Sequence, residues 1–225
     1  MHSITLRISA VVIMLIASPV NAGELVHMDW SRLIDQSVQE YDDPYRDLSQ
    51  EQLINLVTVA QLREKAKQGI SIDKEQLSRY TASLTEKGID VDDLIAQRWV
   101  VAQKREHAAT AGNPAVDGRE VSMTGFVIPA PADSDGTRVA YLVPERGMCS
   151  HMPPPLPNQM IRLRLLSEWH PSTLYQPVQL TGRLSINPTK NSIPVVDGLV
   201  DMHAIFQMDV KSVTSPNSQH VEHRH

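Results

Sequence analysis

The apolar residues of this chain change their spacing once, near residue 112, and that change limits the fold more than any other feature of the sequence. Before it, apolar side chains recur every three to four residues, as on one face of an α-helix; after it they alternate, as on a β-strand. Leu53, Leu56, Val57 and Ala60 share one predicted helical face, Leu77, Tyr80 and Leu84 a second, and Ile95, Trp99 and Ala102 a third. Each run opens on a capping pattern: Ser49 with Gln52, Asp73 with Gln76, Asp90 with Asp93. A side-chain oxygen there satisfies N–H groups that have no partner in a helix's first turn. Gly69 and Gly88 stand where two of these helices should stop. A shorter helix is expected over 30–38, ending before Asp43-Pro44.

Gly112-Asn113-Pro114 and Asp117-Gly118 end the helical pattern. Beyond them Val121, Met123, Gly125 and Val127 alternate with polar or outward groups, 139–143 is a short apolar run, and Ile161, Leu163 and Leu165 alternate with Arg162 and Arg164. Val178, Leu180, Gly182, Leu184 and Ile186 share one face of a further strand, and Ala204, Phe206, Met208 and Val210 one face of the last. Five strands within about 100 residues, two of them with a central glycine, predict a five-stranded OB-like β-barrel; a sandwich also satisfies the pattern. The expected fold is α+β: a helical region over 23–112 packed on a barrel domain over 113–214. The tail over 215–225 is polar, holds His220, His223 and His225, and is expected to be disordered.

Arg7, an apolar run over 8–17 and the small residues around Asn21 read as a cleavable secretory signal over 1–22, cut after Ala22. The run is much shorter than the roughly 20 residues of a membrane-spanning helix, so a periplasmic chain without membrane anchor is expected. The one cysteine, Cys149, lies far downstream of the position that carries lipid, and alone it forms no internal disulfide. Lys and Arg number 21 against 26 Asp and Glu, a net charge of −5, and losing the leader removes Arg7 and no acid. Such a balance, with only two phenylalanines, argues against a nucleic-acid or anionic-lipid surface.

The most informative stretch is 146–159, between the second and third expected strands. Pro153, Pro154, Pro155 and Pro157 hold the backbone in polyproline II with free carbonyls and no N–H to donate. With Asn158 and Gln159 they form a candidate partner-binding strap, whose two amides are also suited to satisfying those carbonyls. If the chain is extended from Cys149 to His151, their side chains point the same way and can meet one zinc or copper ion. The further ligand would be His203, on a strand face shared with Gln207 and Asp209, with Asp201, His170 or a tail histidine as others. The competing reading is a buried thiol and a histidine bonded to a loop carbonyl. Neighbours two apart on an extended chain do not face each other, and proline offers no oxyanion donor. A non-enzymatic protein is therefore expected, with thiol chemistry at Cys149 as the enzymatic alternative.

Gly147, the Cys149-x-His151 pair, the proline run and the closing Asn158-Gln159 resemble the motif of the bacterial domain-of-unknown-function family 3299. The resemblance extends to the Trp30 region, to 41–63 with Asp43-Pro44 and Leu48-Ser49, and to 121–129 and 141–144. Met148, Ser150, Met152 and Leu156 depart from the pattern, which calls for smaller or more aliphatic residues and a further proline. The resemblance implies a periplasmic or lipid-anchored accessory protein, in some cases encoded beside ABC-type export or lipoprotein-handling transporters and linked to zinc supply. It carries over no catalytic role. The expected function is that of a periplasmic adaptor for an inner-membrane ABC-type transporter; the alternative is a zinc- or copper-binding protein that uses Cys149 and His151.

Overall fold

The computed structural model describes residues 25–149, 151–195, 198–214 and 216. The expected leader over 1–22 and the three tail histidines lie outside the described residues. Three α-helices begin where the capping patterns place them. At α1 (Gln50–Lys67) the Ser49 hydroxyl accepts from the Gln52 N–H while the Gln52 side chain accepts from the Ser49 N–H. Asp73 caps α2 (Lys74–Thr85), and Asp90 caps α3 (Val91–Thr110) by accepting from the Asp92 and Asp93 N–H groups. Gly69 and Gly88 turn the chain away from α1 and α2 with φ of 76° at each, a conformation glycine adopts without steric cost.

The helix expected over 30–38 is instead two short 3-10 turns, Trp30–Leu33 and Gln36–Val38. Ile34 leaves the helical conformation between them because its backbone bridges to Gly112. Leu56, Val59, Leu84, Val91 and Leu94 make the helical core, with Tyr45, Leu77 and Tyr80 packed against it. The expected helix faces are corrected at three positions: Val57 and Trp99 are 53% and 68% exposed, and Ala102 is exposed too. α3 serves two neighbours in turn, burying Val91 and Leu94 among the helices and Ala108 near the Pro157–Gln159 turn, so no single stripe runs its length. Asp43, its carboxylate buried, receives the Nε and Nη2 of Arg105 at 2.7 and 2.8 Å and so fastens the segment before α1 to α3. Those charge-assisted bonds hold the Asp43 carboxyl below its ordinary range.

The second half forms a six-stranded sheet. Its strands are β1 (Val26–His27), β2 (Glu120–Pro129), β3 (Arg138–Val143), β4 (Ile161–Leu165), β5 (Gln176–Val195) and β6 (Gly198–Thr214), in spatial order β1-β2-β3-β4-β6-β5. β5 also pairs with β2, and the pairings are antiparallel except for β1 with β2 and β4 with β6. Five strands were expected; the sixth, β1, is two residues long and too short to carry a period. The alternating residues fill one core: Val121, Met123, Val178, Leu180, Phe206 and Met208 are all buried there.

Past a register shift at Ile186/Thr189, β5 pairs with β6 alone, from Thr189↔Ala204 to Val195↔Gly198. This arm lies over the opposite face of β3, where Tyr141 and Val143 pack with Ile193 and Met202. β3 is thus buried on both faces, which is why 139–143 reads as a continuous apolar run rather than an alternating one.

Gly182 sits where β5 faces Val121 of β2 and Val210 of β6. A Cβ there would lie 2.3 Å from the carbonyl oxygen of Asp209. Backbone cannot yield as a flexible side chain does, so Gly182→Ala is expected to destabilise the fold by about 1–3 kcal/mol or more. Urea unfolding of the variant beside the parent chain checks this as a fall in midpoint; an unchanged midpoint refutes the close approach.

Candidate functional site: an anchored proline strap

The chain leaves β3 at Val143 and reverses within a few residues. Gly147 and Cys149 have φ of 94° and 69°. The Gly147 carbonyl accepts from the N–H groups of His151 at 3.0 Å and Met152 at 3.1 Å, and the Cys149 N–H donates to the Met152 carbonyl at 3.0 Å. The extended chain expected from Cys149 to His151 is therefore corrected to a tight loop. A left-handed residue destroys the two-residue alternation, and the two side chains part. Cys149 is 6% exposed and packs with Tyr141, Met160 and Tyr175, whereas His151 is exposed to solvent.

Two non-glycine residues among those described have positive φ, Cys149 and Tyr175 at 56°, and they adjoin each other. The Tyr175 hydroxyl donates to the Met148 carbonyl, and the Tyr175 N–H donates to the Val127 carbonyl at 2.9 Å. Conformations of this kind persist where the surroundings fix them. Nothing in the sequence marked Tyr175; a single tyrosine in a loop has no pattern to read.

Burial pushes the Cys149 thiol up to about 11. At neutral pH it is protonated, which suits a small core residue more than a nucleophile or metal ligand. The other residues named for a metal are dispersed by role. His203 lies half-buried on β6 opposite Lys190, the Asp201 carboxylate accepts from the Ser192 hydroxyl, and exposed His170 has Nδ1 3.4 Å from the Glu168 carbonyl. Among the described residues no three His, Cys, Asp or Glu side chains form a group that could hold a metal ion.

From Met152 the chain runs over the surface. Met152, Pro153, Pro154 and Leu156 are exposed, Pro155 and Pro157 partly so, and Leu156 keeps 56% of its surface in water. Pro157 starts a single 3-10 turn, Pro157–Gln159, a position where its missing N–H costs nothing. Asn158 and Gln159, named with the prolines for a partner and also as amides suited to free carbonyls, bond carbonyls here and act as anchors. Asn158 is 1% exposed and its Nδ2 donates to the carbonyls of Ala108 at 2.8 Å and Ala111 at 3.0 Å, at the end of α3. Gln159 Nε2 donates to the Trp30 carbonyl at 3.0 Å, and Trp30 Nε1 in turn to the Thr124 carbonyl of β2 at 2.9 Å. The strap is thus plugged into the core by Cys149 at one end and tied to helix and sheet by two amides at the other.

The helical region, the strap and all but the first strand of the sheet fall within one family-defined stretch of the chain. The chain belongs to the DUF3299 family, a protein family of unknown function, whose model matches residues 30–215. A crystal structure of a DUF3299 family protein from Pseudomonas aeruginosa PAO1 shares 24% sequence identity. The similarity covers 48% of this chain and 72% of that one, with a TM-score of 0.36. No curated protein matches.

The raised thiol makes stability depend on alkaline pH. Between pH 9 and about 11 the unfolded chain's Cys149 ionises while the folded one stays protonated. The unfolded state then binds fewer protons, so stability falls as pH rises through that window. The parent chain is expected to lose more stability there than Cys149→Ala, as read from denaturant midpoints at a series of pH values; parallel curves refute the burial.

Proposed function

We propose that this chain is a non-enzymatic periplasmic adaptor whose docking surface is the proline strap over 152–156, and whose partner is an inner-membrane ABC-type transporter. The observation that carries this reading is Leu156: a large apolar side chain, 56% exposed, on a segment whose two ends are both buried. Met152 stands exposed at the other end of the proline run. A pre-extended segment clamped at both ends loses little conformational freedom when it binds, so its few contacts count almost fully toward affinity. The export signal read over 1–22 supports the periplasm, and the resemblance of the 147–159 motif supports a transporter-linked role. The protonated, buried state of Cys149 favours an adaptor over a thiol enzyme.

The frame behind the strap is, in this reading, a five-stranded OB-like barrel. Its support is the run of pairings β2 to β3, β3 to β4, β4 to β6, β6 to β5 and β5 back to β2, with β4 and β6 parallel. A sheet that returns to its first strand leaves few free edges.

A photo-crosslinking residue in place of Leu156, in a bacterium that makes this protein, is expected to capture a membrane-embedded transport protein. Leu156→Asp combined with Pro154→Ala should weaken the purified pair by about tenfold or more, roughly 1.4 kcal/mol, without lowering the melting temperature. Equal affinity of this variant and the parent chain, or adducts to soluble proteins only, overturns the reading.

A further inference from the structure

Away from the strap, a cleft of about 240 Å³ opens between the 130–134 loop, β3 and the β5–β6 arm. Its apolar lining is Ala130, Pro131, Ala132, Val139 and Ile193. Its polar lining comes from Asp133, Ser134, Tyr141, Asn191 and Ser192. The floor is Tyr141, 1% exposed, whose hydroxyl accepts from Asn191 Nδ2 at 3.2 Å while its own proton meets no acceptor among the described residues. Asn191, exposed on the arm, brings its side-chain amide to the same lining. Asp133 also lines the cleft, its side chain 37% exposed and its carboxylate bonded through both oxygens to Arg162 Nη2.

This arrangement is held before anything enters. The Asp133 N–H donates to Thr137 and the Asp133 carbonyl accepts from Gly136, both at 2.9 Å, so the loop is a closed turn. Arg162, 6% exposed, is fixed a second time by Gln207 at 2.9 Å. Behind the lining, Arg162 Nε and Thr189 Oγ1 are buried without a hydrogen-bond partner among the described residues. Thr189 shares the Asn191 face of β5, and Arg162 is paired with Tyr141 across β3 and β4.

Charge and size narrow the ligand. Asp133 is the one ionic group lining the cleft, and Arg162 neutralises it. Neither an anion nor a cation finds a net opposite charge. The volume of about 240 Å³ is below the ~300–1,000 Å³ of pockets that hold drug-sized ligands and encloses about one ring. A lining that mixes apolar side chains with a carboxylate, an amide, a phenol and two serine hydroxyls suits a ring with a C–H face and a hydroxylated rim.

We propose that this cleft binds one neutral pyranose unit. The apolar wall takes the C–H face, the Asp133 carboxylate and Asn191 carbonyl accept from ring hydroxyls, and the Tyr141 O–H donates to a third. The site does not depend on the strap or on any transporter.

Methyl β-glucoside and methyl N-acetyl-β-glucosaminide are the probes, titrated into isotope-labelled full chain and followed by amide chemical shifts. At least one is expected to give saturable shifts confined to 130–134 and 191–193, with a Kd of about 1 mM or tighter. Asn191→Ala and Tyr141→Phe should each weaken binding about tenfold, and Leu156→Asp should leave it unchanged. Should Tyr141→Phe lower the melting temperature, exposed Asn191→Ala carries the test alone. The proposal is overturned if neither glycoside gives saturable shifts, if Asn191→Ala binds as the parent chain does, or if inorganic phosphate displaces the glycosides at equal concentration.

Discussion

The last carbonyls of a helix have no intrahelical donor, and at the end of α3 one side-chain amide supplies what is missing. Asn158 Nδ2 donates to both Ala108 and Ala111, and Gln39 Nε2 adds a second donor to Ala108 at 2.9 Å. Leaving such buried carbonyls bare would cost about 1–3 kcal/mol each, so the junction is strongly specified. Three parts of the chain meet there: the helices, the Trp30 segment and the sheet. Gln159 and Trp30 carry the connection onward into β2. The strap owes its rigidity to this junction at one end as much as to its prolines.

What could be read from the sequence was local. Capping boxes, glycine stops and strand alternation each depend on residues within a turn or two, and all three helix starts fell where Ser49, Asp73 and Asp90 put them. The failures share a different cause. The exposed Trp99 arises because α3 changes packing partner along its length, and β1 exists only because β2 offers a parallel edge to two residues. The Cys149–His151 pair failed on a single dihedral. Alternation holds for an extended chain, and one left-handed residue, fixed by Tyr175 from 26 residues downstream, was enough to send the thiol inward and the imidazole outward. No local pattern encodes a contact of that kind.

The same limit hid the cleft. Arg162 alternates with Ile161 and Leu163 and so reads as an outward, solvated side chain, yet it is buried. The sheet's second face is not a solvent face because the β5–β6 arm folds across it, and the arm begins at a register shift that hydrophobic period does not reveal. Once covered, a guanidinium needs a carboxylate, and Asp133 on the adjoining loop provides it. Asp133 is in turn positioned by backbone bonds to Gly136 and Thr137, so a glycine turn that looks like an ordinary connection decides where a buried charge is neutralised.

Strap and cleft are therefore not separate decorations of the fold. Tyr141, which floors the cleft, Ile193, which walls it, and Cys149, which plugs the strap, belong to one packed cluster on the outer face of β3. Packed clusters respond to load by holding or by jumping between discrete arrangements, and this one is closed by strand pairing on both sides. The same cluster holds Cys149 and Tyr175, the two described non-glycine residues with positive φ. Shared packing here ties residues that line the cleft to the cysteine that plugs the strap.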